Sequence, residues 1–312
     1  MYDTIKLRYD FKYNNPPPKG VVLSYLDSYT TIDRHHNNTK TETGKLDNLT
    51  VSYNNQSIII NGSFCKYHYG ENISTLTRQS TKETIEKLSD TLGFDVGKCD
   101  VTRADISTNV STTYPPLVYY PYLGHLDRYE RNPFKGSLYY KQSTKEIIFY
   151  DKVKDAKAKG MEIPTEFKHI NLFRYELRLL KSLNKHLNKL VKAKDLYDET
   201  TYKKVGSLWY STYTDIEKRS NKENIITNMS NTLNAKDLDK ALKTQAIREI
   251  GLEELHQQLL ALKHRGLINE SMYYRKIREY KVLSEVDIQE DDTIDEVNKL
   301  IKEVYDNHLT SL

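Results

Sequence analysis

Three short segments of the chain carry chemically capable side chains at every second position. Val101-Thr102-Arg103-Ala104-Asp105-Ile106 sets Arg103 and Asp105 against Ala104 and Ile106. Ile147-Ile148-Phe149-Tyr150-Asp151-Lys152 sets Tyr150 and Lys152 against Ile147 and Phe149. Phe173-Arg174-Tyr175-Glu176-Leu177-Arg178-Leu179 sets Arg174, Glu176 and Arg178 against Phe173, Tyr175, Leu177 and Leu179. A β-strand projects alternate side chains from opposite faces. If the three segments are strands of one sheet with these faces aligned, a phenol, two carboxylates, a lysine and several arginines converge.

That set suits phosphodiester transfer. Asp105 and Glu176 offer hard oxygens to Mg²⁺ or Mn²⁺, which polarises a scissile phosphate, and the basic side chains offset charge as it develops on the phosphoryl oxygens. A tyrosine hydroxyl ordinarily ionises near pH ~10. Tyr150 therefore becomes a good nucleophile only where something favours its phenolate, and Lys152 or the metal are the candidates. An ordinary half-exposed sheet with a solvated charged face produces the same alternation, and one segment alone does not separate the two readings.

The elements that must position these residues can be read from the pattern of apolar positions and breakers. Ile5, Leu7, Tyr9 and Phe11 recur with period two and predict a strand that the Asn14-Asn15-Pro16-Pro17-Pro18 run ends. Further strands are predicted at Ser57–Phe64, Asp100–Val110, Leu138–Lys141, Glu146–Lys152 and Leu172–Leu180. Ser80 and Glu83 form a capping-box pattern, Ile85, Leu88 and Leu92 share a helical face, and Gly93 is a stop. Tyr114–Pro133, with four prolines, reads as a long connection that covers or contacts substrate. Strands with a capped helix between them predict an α+β fold with a mostly antiparallel sheet over residues 1–180. Beyond Lys181 the chain turns to Leu/Lys/Glu-rich helices. Leu238, Leu242 and Ile250 precede a Gly251 stop, and Leu252, Leu255, Leu259 and Leu262 precede a Gly266 stop. This predicts a helical region over 181–281, either a helix-turn-helix DNA reader or a packing domain, and an acidic helical tail over 282–312.

Charge supports a polyanionic partner. The net charge is only +4, but residues 101–281 hold 33 Lys+Arg against 22 Asp+Glu, whereas residues 282–312 hold 2 against 9. The 25 tyrosines, interleaved with Lys and Arg, offer faces on which bases can stack. No apolar run approaches the ~18 residues needed to span a bilayer, and Met1–Phe11 lacks a signal-peptide core, so a cytosolic or nucleoid-associated protein is expected. Cys65 and Cys99 are too few and too far apart for a zinc cluster and are expected to be reduced. A histidine-hydrophobic-histidine metal motif is absent: His35 and His36 are adjacent, and His68 and His125 stand alone.

In order along the chain, Met-Tyr-Asp-Thr-Ile-Lys-Leu-Arg, Asn61-Gly62-Ser63-Phe64-Cys65-Lys66 with Gly70-Glu71-Asn72, Val101–Asp105, Ser137-Leu138-Tyr139-Tyr140, Ile148–Lys152 and Arg174–Arg178 resemble the gene II/gene X replication initiators of filamentous phages. More distantly they are similar to the rolling-circle plasmid initiators that lack the paired-histidine motif. The resemblance implies a site-specific nicking-joining endonuclease in the bacterial cytoplasm. Tyr150 would form a 5′-phosphotyrosyl link and free a 3′-hydroxyl primer, and Asp105 and Glu176 would hold the metal. Lys152 would assist the tyrosine or the phosphate. Asn61 stands where plasmid relatives carry a carboxylate and could ligate through its oxygen. Arg103, Arg174, Arg178 and Lys66 would contact DNA phosphates. Origin DNA is the implied partner, with a host helicase and polymerase as further candidates. Asp127, Glu130 and Asp151 are further carboxylates in range, and Tyr139 and Tyr140 are nearby candidates for a second nucleophile. Two rival readings stay open from sequence alone: a non-catalytic origin-binding or repressor protein, and a general single-stranded nucleic-acid binder.

Overall fold

The structure, a computed structural model, describes residues 1–34, 39–181, 183–219, 250–284 and 293–310, together with residues 239, 243, 244, 246 and 247. Its centre is a ten-stranded antiparallel sheet, built as follows. β1 (Tyr2–Asp10) leads through a short helix, α1 (Lys19–Ser24), to β2 (Tyr29–Arg34), β3 (Thr39–Leu46), β4 (Leu49–Tyr53) and β5 (Ser57–Ser63). Two helices follow, α2 (Phe64–Tyr69) and α3 (Arg78–Leu92), and then the long β6 (Asp100–Thr112). A 3-10 segment, Pro116–Tyr122, precedes β7 (Glu130–Phe134), β8 (Ser137–Lys141) and β9 (Lys145–Asp151), and α4 (Lys152–Ala158) leads to β10 (Asn171–Leu179). The strands lie in the order β2-β3-β4-β5-β1-β6-β10-β9-β8-β7.

The three segments that carry the alternating charges thus occupy adjacent strands, β6, β10 and β9, with β10 in the middle. Arg178 pairs with Asp105 and Glu176 with Ser107 on one side of β10, while Arg174 pairs with Tyr150 and Arg178 with Glu146 on the other. Residues directly opposite in a ladder point to the same face, so the alternation in each segment adds up to a single polar face. The opposite face carries Ala104, Ile106, Phe149, Phe173, Tyr175 and Leu177, all fully buried.

That apolar face is covered by helix α6 (Glu199–Thr214), reached through the short α5 (Leu183–Leu187). Phe149 stacks on Tyr175 with centroids 5.1 Å apart, and Tyr175 stacks on Trp209 of α6 at 4.9 Å. The Tyr175 hydroxyl donates to the Trp209 carbonyl at 2.8 Å, which satisfies that hydroxyl within the stack. The remaining described helices are α7 (Leu252–His264), α8 (Glu270–Ser284) and α9 (Thr293–Thr310). α9 is fastened within the same unit as the sheet: Glu296 accepts from the Thr113 backbone and hydroxyl and from Tyr119, and Tyr213 donates to Asn298 at 2.7 Å.

Residues 1–120, 125–217 and 295–312 form one unit, and residues 121–124 with 218–294 form another. In the second, α7 packs on α8, joined through Gly266 at φ +69, with His256 and Tyr273 in hydrogen-bond contact at 2.7 Å. The helical faces expected from Leu238 and Leu242 lie outside the described residues.

The α+β architecture with its antiparallel sheet is as the sequence predicts, and five details differ. The N-cap of α3 is Thr77, reciprocally bonded with Ser80, one turn before the expected start. β9 stops at Asp151, whose side chain accepts from the Lys154 backbone and so starts a helix at Lys152. Phe64 likewise opens α2 behind Ser63, whose hydroxyl caps it. The expected loop at Tyr114–Pro133 contains a 3-10 turn and most of a strand, because β7 is at the sheet edge, where a proline costs no ladder hydrogen bond. The β2–β4 strands carry no strong apolar alternation apart from Leu49, Val51 and Tyr53, and they escape a search for it. Cys65 and Cys99 are both free and buried, and burial pushes the Cys65 thiol up to about 12. No described helix is long and apolar enough to cross a membrane.

Candidate active site

The polar face of β6, β10 and β9 holds a continuous network. At its centre Glu176, which is buried, accepts from the Tyr150 hydroxyl at 3.2 Å and from Arg174 Nε at 3.1 Å through Oε2, and from Arg178 Nε at 2.7 Å through Oε1. Arg174 is fully buried, and its guanidinium reaches the Asp3 carboxylate, the Asn72 carbonyl at 3.1 Å and Asn109 Oδ1 at 3.4 Å. Asp105, also buried, is gripped bidentately by Arg103, with Nε to Oδ1 at 2.8 Å and Nη2 to Oδ2 at 2.6 Å. Arg178 ties the two halves together: besides Glu176 it reaches Glu146 at 3.0 Å and lies 3.8 Å from Asp105 Oδ2. Bidentate, charge-assisted contacts of this kind are what make buried ions tolerable.

The electrostatics of the cluster follow from this wiring. Burial pushes the Glu176 carboxyl up, but the two guanidiniums on it win and hold it at about 2. Asp105 goes the other way. Burial pushes it up to about 6, and the Glu176 charge adds to that, against the opposing pull of Arg103 and Arg178. The Tyr150 hydroxyl is raised well above its ordinary range, first by burial and then by the Glu176 charge, with Arg174 opposing. The Arg174 guanidinium carbon is 5.8 Å from the centre of the Tyr150 ring.

Tyr150 is half-buried, with its hydroxyl on the buried Glu176. It lines an open cleft of about 510 Å³ between the β8–β9 side of the sheet and α4. Ser137, Tyr139, Ile148, Lys154, Lys159 and Arg178 are also in its walls. Asp151 and Asp155 on the same wall are engaged locally, Asp151 by the Lys154 backbone and Asp155 by Lys159 Nζ at 2.8 Å.

The structure therefore brings together Tyr150, Asp105, Glu176, Arg103, Arg174 and Arg178. The other residues singled out in the sequence sit elsewhere. Lys152, no longer on a strand, is buried at the first position of α4, with Nζ on Asn72 Oδ1 at 2.8 Å, and it shares no direct contact with the Tyr150 hydroxyl among the described residues. It is linked to the cluster through Asn72, which also accepts from Arg174. Burial, reinforced by Arg174, lowers its pKa to about 8. Asn61 lies on β5 opposite Lys6 and Thr50 and takes no part in the cluster's hydrogen bonds among the described residues. Lys66 is in α2, with Nζ 3.0 Å from Met161 Sδ. Tyr140 is buried on the apolar face, so of the two neighbouring tyrosines only Tyr139 reaches the cleft.

Three members of the network carry weaker signals in the sequence. Glu146 shares its face with Tyr150, four positions along the same strand, and the alternation that singles out Tyr150 points to it as well. Asp3 is hidden by a register shift between Tyr2 and Ile5 in the β1–β6 ladder. Period two places Asp3 with Ile5 on the apolar side, whereas the irregularity turns it to Arg174. Asn72 is in an irregular segment after α2, where no periodicity applies.

The donor chemistry suits a hard divalent cation, since Asp105 and Glu176 are carboxylates on adjacent strands with a cationic group, the Arg178 guanidinium, already bridging them. Among the described residues no set of three His, Cys, Asp or Glu stands at metal-ligand spacing. A cation here would take two protein carboxylates, with water and phosphate for the rest, the usual arrangement for Mg²⁺.

Fold and site together define an α+β protein whose antiparallel sheet sets a tyrosine and an arginine, Tyr150 and Arg178, in the wall of an open cleft, with buried acids and further arginines behind them. A family model described as the N-terminal part of a phage replication-associated protein, the gene II protein, matches residues 1–205. The chain belongs to this family, the gene II-type phage replication initiators. No curated protein matches it.

Proposed function

We propose that the chain starts rolling-circle replication by nicking one DNA strand through Tyr150. The observation that carries this reading is the position of Tyr150: its hydroxyl is oriented by Glu176 at 3.2 Å, its ring is beside the buried Arg174, and the residue lines an open cleft. Tyr150 Oη gives up its proton to water in the cleft and attacks the scissile phosphorus, and the bond from phosphorus to the 3′-oxygen breaks. The 5′-phosphate remains on the tyrosine, and the 3′-oxygen leaves as an alcohol once protonated. The ester retains the bond energy, so the reverse step, attack by a 3′-hydroxyl, rejoins a strand.

Proton affinities assign the roles. Two guanidiniums hold the Glu176 carboxylate low while burial raises the Tyr150 hydroxyl, so the proton stays on the phenol. Glu176 therefore orients the hydroxyl and does not deprotonate it. What favours the phenolate is positive charge: Arg174 already acts in that direction. A divalent ion, Mg²⁺ or Mn²⁺, held by Asp105 and Glu176 would polarise the phosphate and stabilise the phenolate. Asp105 is buried and gripped by Arg103, so its role is that of a ligand, and the proton for the departing 3′-oxygen comes from water in the open cleft. Arg178 lines the cleft and is partly exposed, so it is the guanidinium that can turn from the carboxylates to the phosphate. Lys152 acts through Asn72 on the placement of Arg174. The freed 3′-hydroxyl would prime a host polymerase, with a host helicase opening the duplex ahead.

The test needs no knowledge of the origin. A 3′-labelled random single-stranded library is incubated with the protein and Mn²⁺, and covalent protein–DNA adducts are isolated under denaturing conditions and sequenced. The parent is expected to give adducts enriched in one sequence and Tyr150→Phe none. A Phe variant that nicks at the parent rate, or a parent that binds DNA without any adduct, returns the chain to the non-catalytic readings.

A further inference from the structure

The outer strand of the β7–β8 hairpin is poorly explained by packing, whereas Leu138 and Tyr140 of β8 are buried. Four of the five residues of β7 are exposed, and Phe134 is 54% exposed at its tip. Nevertheless the hairpin is rigidly made. Phe134 pairs with Ser137 across a two-residue turn, Lys135-Gly136, with φ +48 and +77. Two successive left-handed residues are what a type I′ turn requires, the turn whose twist matches the strands it joins. Behind the turn, the Tyr120 hydroxyl donates to the Gly136 carbonyl at 3.3 Å and Arg131 donates to the Tyr120 carbonyl at 2.8 Å.

The register sets where this tip points. Tyr139 pairs with Ile148 and Leu138 with Phe149, which brings the turn alongside Tyr150 and puts Phe134, Tyr139 and Tyr150 on one face. Strands are spaced ~4.8 Å, so the Phe134 backbone is about 10 Å from that of Tyr150. Lys135 lies over the Phe134 ring at 5.1 Å and lines the catalytic cleft, and Lys141 lies over Tyr139 at 5.3 Å. A cleft of 510 Å³ takes about one or two nucleotides and no duplex. A single strand fits there. An exposed aromatic ring with a cation beside it, on a braced hairpin at the cleft mouth, suits the base pair at which the strands part.

We propose that the β7–β8 hairpin is a strand-parting wedge. Phe134 stacks on the last base pair of the duplex, Lys135 holds the adjoining phosphate, and the freed strand enters the cleft over Tyr139 toward Tyr150. The inference rests on the nicking reading for the purpose of the cleft, but its test does not depend on any nick.

Fluorescence anisotropy measures binding to a forked duplex of arbitrary sequence with oligothymidylate arms, and separately to free oligothymidylate. The parent is expected to prefer the fork. Phe134→Ala loses about tenfold in fork affinity and leaves oligothymidylate binding unchanged, since stacking on an aromatic ring contributes at that scale. Phe134→Tyr retains the preference. The side chain is exposed, so the alanine variant folds. A parent with no fork preference, or an alanine variant that keeps it, overturns the wedge. Absence of the covalent adduct described above would instead overturn the nicking reading alone.

Discussion

Arg178 lies between Glu176 and Asp105, its Nε 2.7 Å from one carboxylate and 3.8 Å from the other. One guanidinium thus bridges two acids across the β6–β10 ladder, each of which has a second arginine, Arg174 on Glu176 and Arg103 on Asp105. It also holds the place that a divalent cation would take.

Replacing Arg178 by Gln should therefore loosen the fold and tighten metal binding together. The stability loss is expected at about 1–3 kcal/mol, less than for a fully buried pair because the arginine is 29% exposed and solvent screens it. Mn²⁺ affinity, followed by calorimetric titration, is expected to rise about tenfold, as the carboxylates lose their competing cation. An unchanged or weaker Mn²⁺ affinity would mean that Asp105 and Glu176 are not the metal ligands.

The same two acids should give stability an unusual acid profile. Glu176 falls from 4.5 unfolded to about 2 folded, so its contribution is complete above 4.5 and is lost as pH drops through 2. Asp105 rises from 3.8 to about 6, so its contribution is present below 3.8 and is lost as pH climbs through 6. Each amounts to about 3 kcal/mol, and the two limbs meet near pH ~4. Urea unfolding followed by fluorescence of Trp209, the only tryptophan, reads both limbs in the sheet unit. Asp105→Asn should flatten the fall between about 4 and 6, and Glu176→Gln the rise between about 2 and 4.5. A limb that persists in its own variant belongs to another group.

How far the site is legible in the sequence depends on how regular the backbone is at each residue. Asp105, Tyr150, Glu176 and Arg178 sit in uninterrupted strands, where period two fixes the face, so the alternation alone brings them together. Lys152 follows the same parity, yet the Asp151 cap turns the chain into a helix one residue earlier, and the lysine leaves the face. Asp3 fails in the opposite sense, because a register irregularity in β1 brings it to a face that parity denies it. The β7 strand is hidden by Pro133, which argues against a central strand but is harmless at an edge. In each case a local hydrogen bond or ladder defect, invisible to periodicity, decides the outcome.

Lys152 should titrate on the alkaline side. Its folded pKa of about 8 lies below the ordinary 10.5, so the unfolded chain binds the proton more tightly between these values and stability rises with pH across that window. Lys152→Gln should remove that rise. If the lysine acts by placing Arg174 through Asn72, the variant should also slow adduct formation about tenfold while leaving oligonucleotide affinity unchanged. Loss of affinity without loss of rate would make Lys152 a DNA contact.

The apolar face sets how firmly the polar face is held. Trp209 is nearly fully buried, stacks on Tyr175 at 4.9 Å, and accepts the Tyr175 hydroxyl at its carbonyl. Tyr175 lies on β10 between Arg174 and Glu176, so the residues that orient Tyr150 are held from behind by this stack. Trp209→Ala opens a cavity there and is expected to cost about 3–5 kcal/mol, read as a lowered urea midpoint by circular dichroism. Trp209→Phe retains most of the stacking area and should cost less than half as much. At a temperature where the alanine variant is still folded, adduct formation should fall while binding of oligothymidylate holds. Equal loss of both would indicate general unfolding and no particular link between the stack and the tyrosine.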